Sequence, residues 1–251
     1  MSVSSEQIDP LQYPWSPPGT SGVMHGDDFL PLQLPARLDQ ALVEAHVAPL
    51  ASRSLVVSIG SNSSPDVLRS KFAKSRHPVS RILPLVRGRL HNIGVGHSAH
   101  VSKAGYIAAA PYSQRGRRTT VWVAWLDERQ LMALDQTEPN YQRIELNGEE
   151  YPLVLDNGER PESFSLFASN WGVLTDGQGE KLPLMEQPAL FRVLAGSVTG
   201  EGLQIGKSVF EGPPERVVEQ LALPAVQIGA REWFRAAGLV EHVQPDAFRD
   251  A

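Results

Sequence analysis

Apolar residues fall into short clusters separated by runs rich in proline and glycine, and the spacing within each cluster changes along the chain. Leu38, Leu42, Val43 and Ala45 recur at helical spacing until Pro49, which predicts an amphipathic helix. Residues 54–59 form an apolar, β-branched run that stops at Gly60, the pattern of a buried strand entering a turn. Ser64-Pro65-Asp66 reads as a helix start, because serine or aspartate caps and proline suits the first turn. Leu68 and Phe72, four apart, mark its inward face. Strands are predicted at 82–95, 105–110 and 119–126. In the last of these Val121, Val123 and Trp125 alternate with Trp122, Ala124 and Leu126, so both faces are apolar and the strand is central. Asp127 opens a short helix with Leu131 and Leu134 on one face, and Pro139 disfavours helical geometry at Glu138. Residues 141–146 return to a strand. Further strands are predicted at 151–156 and 163–168, and helices at 188–194, 213–223 and 230–237.

Residues 1–35 hold Pro10, Pro14, Pro17, Pro18, Pro31 and Pro35, with Gly19, Gly22 and Gly26 among them. Such a stretch predicts an extended arm without its own core, pinned through Tyr13, Trp15 and Phe29. The element order is that of an α+β fold: a mixed sheet curved toward a β-barrel, with flanking helices and a helical C-terminal appendage. Three divisions follow: a proline-rich arm and helix over 1–50, a core over 51–160, and an extension over 161–251. Leu221, Leu223, Trp233 and Phe234 in the extension need a partner surface, which predicts that it packs on the core.

Composition narrows the functions. The 251 residues carry 23 Lys+Arg against 28 Asp+Glu, a formal charge of −5, which gives nucleic acid no long-range pull. The absence of cysteine removes disulfides, thiolate nucleophiles, zinc ribbons and iron–sulfur ligation. No 18-residue apolar run predicts a membrane span, and residues 1–22 lack the basic and apolar regions of a secretory leader, so the cytoplasm is the default location.

Several motif-like stretches carry no chemistry. Gly202-Leu-Gln-Ile-Gly206-Lys207-Ser208 ends like a phosphate loop, but Glu201 stands where the first glycine belongs and no apolar strand leads in. His91, His97 and His100 lie close together, yet Gly94 and Gly96 argue against a helix and no carboxylate completes a metal set. They read as surface or loop histidines. Arg115-Gly-Arg117-Arg118 reads as a solvated hairpin tip.

Two stretches do point to a site. Ile59-Gly60-Ser61-Asn62 is a strand end followed by a tight polar turn and a helix start, which aims several backbone N–H groups at one place as a nest for a carboxylate or an oxyanion. Leu134-Asp135-Gln-Thr-Glu138-Pro139-Asn140-Tyr141-Gln-Arg143 places acidic groups at a helix C-terminus. The negative end of the helix dipole disfavours ionisation there, which suits a general base, although the same residue also fits a solvated loop.

These pieces, in this order, resemble the γ-glutamylcyclotransferase-like family. Ile59-Gly60-Ser61-Asn62 is similar to its Tyr-Gly-Ser-Asn strand end. Gly105 to Pro111, Val121 to Leu126, and Leu134-Asp135-Gln-Thr-Glu138 followed by Tyr141 match its later motifs in register. The resemblance covers roughly residues 54–155. Ile59 stands where the family has tyrosine and Pro139 where it has glycine. The resemblance implies a fold of that family, a cofactor-independent reaction without a metal, and release of 5-oxoproline from a small γ-glutamyl compound. It implies Glu138 as the catalytic acid/base and the 59–62 turn as the holder of the substrate, with Tyr141 and Arg143 as further binding residues. Three alternatives stay open: a non-catalytic binding or regulatory module on the same fold, an enzyme cleaving or transferring another γ-glutamyl amide, and a hydrolase using Ser61.

Overall fold

The computed structural model of the chain describes residues 9–32, 38–197, 205–243 and 248. Its strands are β1 (Gly22–His25), β2 (Asp28–Pro31), β3 (Ser54–Ser58), β4 (Ile82–Val101), β5 (Ile107–Leu126), β6 (Tyr141–Asn147), β7 (Leu153–Leu155), β8 (Ser163–Ser169), β9 (Val173–Leu174) and β10 (Val240–Glu241). Its helices are α1 (Leu38–Glu44), α2 (Pro65–Ala73), α3 (Glu128–Gln136), α4 (Gln187–Ala195), α5 (Pro214–Leu221) and α6 (Pro224–Ala236). The fold is α+β. Its mixed sheet follows the order β10-β9-β4-β5-β3-β8-β6, with β1, β2 and β7 off that path. The path has two ends among the described residues, so the mixed sheet with flanking helices expected from the sequence is present and is open, not closed into a barrel.

The chain divides into two compact units, each interleaved in sequence. One comprises, among the described residues, 16–94, 113–168 and 248. Here β3 pairs antiparallel with β5 (Val57 opposite Val123) and parallel with β8 (Val56 opposite Ser165). Met24, Val56, Leu68, Phe72, Leu83, Leu85, Trp122, Leu126 and Leu134 form its core, which fastens α2 and α3 to the sheet. Between β1 and β2 lies a tight hairpin, and β1 also pairs with β4. The arm expected without a core is thus partly sheet: Val23 and Met24 point to opposite faces of β1 and both are buried, so this short strand is paired on both edges and covered on both faces. Residues 1–8 and 33–35 of that stretch lie outside the described residues.

The other unit comprises 9–15, 95–112 and 169–243 among the described residues. Phe191, Phe210, Trp233 and Phe234 pack in its interior with Ala99, Val101, Ile107, Leu190 and Leu221. The helix expected over 230–237 begins earlier, at Pro224, where proline fits the first helical position. Residues 202–204 of the glycine-rich run lie outside the described residues. Its last residues, Lys207 and Ser208, open a 3-10 turn.

Two expectations about charged and polar stretches are corrected. Residues 115–118 are no hairpin tip; they lie inside the continuous β5. Gly116 there adopts φ +78 and donates its N–H to the Asn92 side chain (2.9 Å), while Asn92 itself has φ +63. Glycine, which usually marks a turn, here lets a paired strand bend. His97 and His100 are buried in β4, not on the surface. At Gly96 a Cβ would lie 2.6 Å from the Leu182 carbonyl oxygen, so glycine marks a close approach of backbone and not a loop.

Candidate functional site

The site lies within the first unit described and is built where β3 leaves the sheet. Val56, Val57 and Ser58 are buried between neighbours on both sides, which holds the strand end still. After Ile59 and Gly60 the chain makes a 3-10 turn over Ser61–Ser63. Ser63 donates its N–H to the Gly60 carbonyl (3.0 Å) and its hydroxyl to the same oxygen (2.7 Å), and Ser64 donates its N–H to Ser61 (3.1 Å). The first N–H groups of such a turn have no partner within it, so those of Ser61 and Asn62 remain to be met from outside. Pro65 then occupies the first turn of α2, with Ser64 at the N-cap but without a side-chain cap bond.

The second half of the site comes from α3. Asp127 and Gln130 form a reciprocal capping box: Gln130 N–H to Asp127 Oδ1 is 2.8 Å and Asp127 N–H to Gln130 Oε1 is 3.0 Å. The helix ends at Thr137, which donates N–H (2.9 Å) and hydroxyl (2.8 Å) to the Leu134 carbonyl. Glu138 follows at once. Its carbonyl accepts the Tyr141 N–H (3.0 Å), closing a four-residue turn with Pro139 at the second position. Proline's fixed φ suits that position, so the replacement of glycine stiffens the loop without conflict.

These halves meet. Asn62 Nδ2 donates to Glu138 Oε1 at 2.9 Å. Lys71, on the last turn of α2, places Nζ 2.5 Å from the same oxygen and 2.7 Å from Asn62 Oδ1. The Lys71 and Glu138 side chains are 17% and 11% exposed, so the pair is screened from water yet reachable. Both contacts fall on Oε1, which leaves Oε2 without a protein donor among the described residues. The arrangement can accept a proton on a held carboxylate oxygen, offer amides to an anion, and supply one ammonium group.

Of the residues predicted from sequence, the structure brings Gly60, Ser61, Asn62 and Glu138 to one place. Ile59 and Tyr141 flank it, half-buried. Arg143 is turned elsewhere: exposed, it binds Asp135 in a two-point pair at 3.0 and 3.2 Å. Lys71 was not predicted. It lies three residues after the inward-facing Leu68, and a cation at the edge of a buried helical face calls for an anionic partner.

A second polar cluster belongs to the other unit. His97 Nδ1 faces the Ile107 carbonyl (3.3 Å) and Nε2 accepts the Met185 N–H (3.0 Å), a pattern only the neutral ring satisfies. His100 Nδ1 is 2.5 Å from Ser98 Oγ, which is 2.6 Å from Ser169 Oγ. Burial pushes both imidazoles down to about 4, with Arg231 adding to the effect on His100. Ser98 and His100 are 0% and 3% exposed, so this serine–histidine contact is closed to substrate.

No protein-family model and no curated protein sequence matches the chain. Among solved structures, part of the chain aligns with a solution structure of an Arabidopsis thaliana protein at 16% identity and a TM-score of 0.33, covering 46% of this chain and 61% of that one. It aligns with a gamma-glutamyl cyclotransferase at 13% identity and a TM-score of 0.38, covering 47% and 66%. An uncharacterized protein from Homo sapiens aligns at 16% identity and a TM-score of 0.36, covering 47% and 68%. The chain thus spans less than two thirds of the first two of these proteins, and each alignment takes in less than half of the chain.

Proposed function

We propose that the chain is an enzyme of γ-glutamylcyclotransferase type, which releases 5-oxoproline and an amine from a small γ-glutamyl compound. One observation carries the reading: the Glu138 carboxylate is held by Asn62 against the mouth of the Ser61–Ser63 turn. Glu138 takes a proton from the substrate's α-ammonium group. The freed amine attacks the γ-carbonyl carbon, forming the lactam C–N bond, and the carbonyl oxygen gains negative charge beside the Ser61 and Asn62 amides. As the tetrahedral centre collapses, the bond to the departing amine breaks and the protonated Glu138 gives its proton to that nitrogen. The freed carboxylate takes the second proton of the ring nitrogen and passes it on, so that a neutral lactam and an ammonium product leave. The turn is already tied by Ser63 and Ser64, so its donors need no reorganisation. Incubation of the full chain with a panel of γ-glutamyl amides, reading 5-oxoproline release, tests the proposal; no release from any member overturns it.

A second reading has its own support. Lys71 occupies the oxygen of Glu138 that Asn62 also holds, which suits a binding module whose carboxylate only locks two elements together. Binding of γ-glutamyl compounds without turnover in the same panel selects that reading.

A further inference from the structure

The ion pair between Lys71 and Glu138 raises the question of what opens it. Both side chains are largely buried, and pulling one charge away from the other in such a place is unfavourable unless a new partner arrives. A ligand that brings only an ammonium to Glu138 leaves Lys71 with the neutral Asn62 Oδ1 alone. A ligand that brings a carboxylate as well replaces both halves at once.

We propose that Lys71 receives the α-carboxylate of the substrate while Glu138 receives its α-ammonium, so that the resting pair is exchanged for the two charges of an amino-acid headgroup. The proposal rests on the reading of Glu138 as the base and adds to it a specificity-determining residue. In the resting state Lys71 holds the carboxylate oxygen; in the bound state its attachment to the substrate carboxylate frees that oxygen for the proton. Asn62 serves both states, since its amide nitrogen stays on Glu138 and its amide oxygen steadies the ammonium of Lys71. The site then accepts γ-glutamyl compounds with a free α-carboxylate and refuses those in which it is an amide.

The experiment compares L-γ-glutamyl-L-alanine with its counterpart whose glutamyl α-carboxylate is a carboxamide. Binding is followed by calorimetry and 5-oxoproline by direct assay, on the full chain and on Lys71→Gln and Lys71→Arg. The unsubstituted protein is expected to favour the acid by on the order of 10- to 100-fold, the range of a hydrogen bond to a charged group, expressed mainly in KM. Lys71→Gln removes the preference while kcat for the acid changes by a few-fold, and Lys71→Arg restores much of it. A preference that survives in Lys71→Gln, or a loss confined to kcat, overturns the inference and leaves the proposed function standing. Equal handling of both compounds by the unsubstituted protein overturns it even where Lys71→Gln does not fold. Binding of the acid in a Lys71-dependent manner without 5-oxoproline removes the proposed function and keeps the inference. Binding of neither compound removes both.

Discussion

Glu138 is the residue on which the proposed chemistry turns, and its substitution by Gln tests that role. Glutamine keeps the size of the side chain and an oxygen for Asn62 and Lys71, so the fold persists while the basic oxygen is gone. Turnover of a γ-glutamyl substrate is expected to fall by at least about 100-fold in kcat, measured by 5-oxoproline release at saturating substrate. Near-normal turnover would move the role of base to another carboxylate. Asp135 is a poor successor, since Arg143 engages both of its oxygens. The buried histidines make a different prediction. Their folded values near 4 lie below the ordinary 6.5, so between those limits the unfolded chain binds more protons than the folded one. Stability is therefore complete above about pH 6.5 and falls as the pH drops toward about 4, by a few kcal/mol for the pair. Denaturant midpoints at pH 7 and pH 4.5 check this; in a His97→Gln, His100→Gln double variant the difference between them should shrink. Lys71 illustrates what sequence reading misses at this scale. Its partner lies 67 residues away, and no local spacing announces a contact of that range.

At the scale of elements, α3 stands out because one buried side chain fastens both its start and its surroundings. Gln130 accepts from Asp127 N–H and Arg53, each at 3.0 Å, and donates to the Ser80 and Ile82 carbonyls, each at 2.9 Å. Asp127→Ala removes one cap and should cost about 1 kcal/mol. Gln130→Leu strands two carbonyls and weakens the hold on Arg53, for about 3 kcal/mol. Urea unfolding at unchanged slope compares the two; a smaller loss for Gln130→Leu would contradict the hub. This helix was legible in the sequence because its cap, its apolar face and the proline beyond it are all local signals. So was β3, whose apolar run stops at a glycine. The uninterrupted course of β5 was not, since Arg-Gly-Arg-Arg has the composition of a turn and the bend opposite Asn92 shows only when both strands are present. The hairpin of β1 and β2 was hidden for a related reason: proline and glycine describe an arm until β4 supplies the edge on which β1 lies.

For the whole molecule the open sheet and the interleaved units decide what can be cut away. Ala99, Val101 and Ile107 are covered by Leu190, Phe191, Leu221, Trp233 and Phe234, all from the segment beyond Ala168. A chain ending at Ala168 keeps every residue of the proposed site and loses that cover. It is expected to aggregate in size-exclusion chromatography with light scattering, through exposed apolar surface. A soluble monomer of that length would show that the distal ends of β4 and β5 stand without the C-terminal helices. The same interleaving sets an order of events during synthesis. As the nascent chain leaves the ribosome, the unit that carries Glu138 has nearly all its strands once Ala168 emerges, whereas the other holds its earliest and latest pieces far apart in time. The ends of two long strands thus wait in the growing chain for helices not yet translated, an interval in which a chaperone has something to hold.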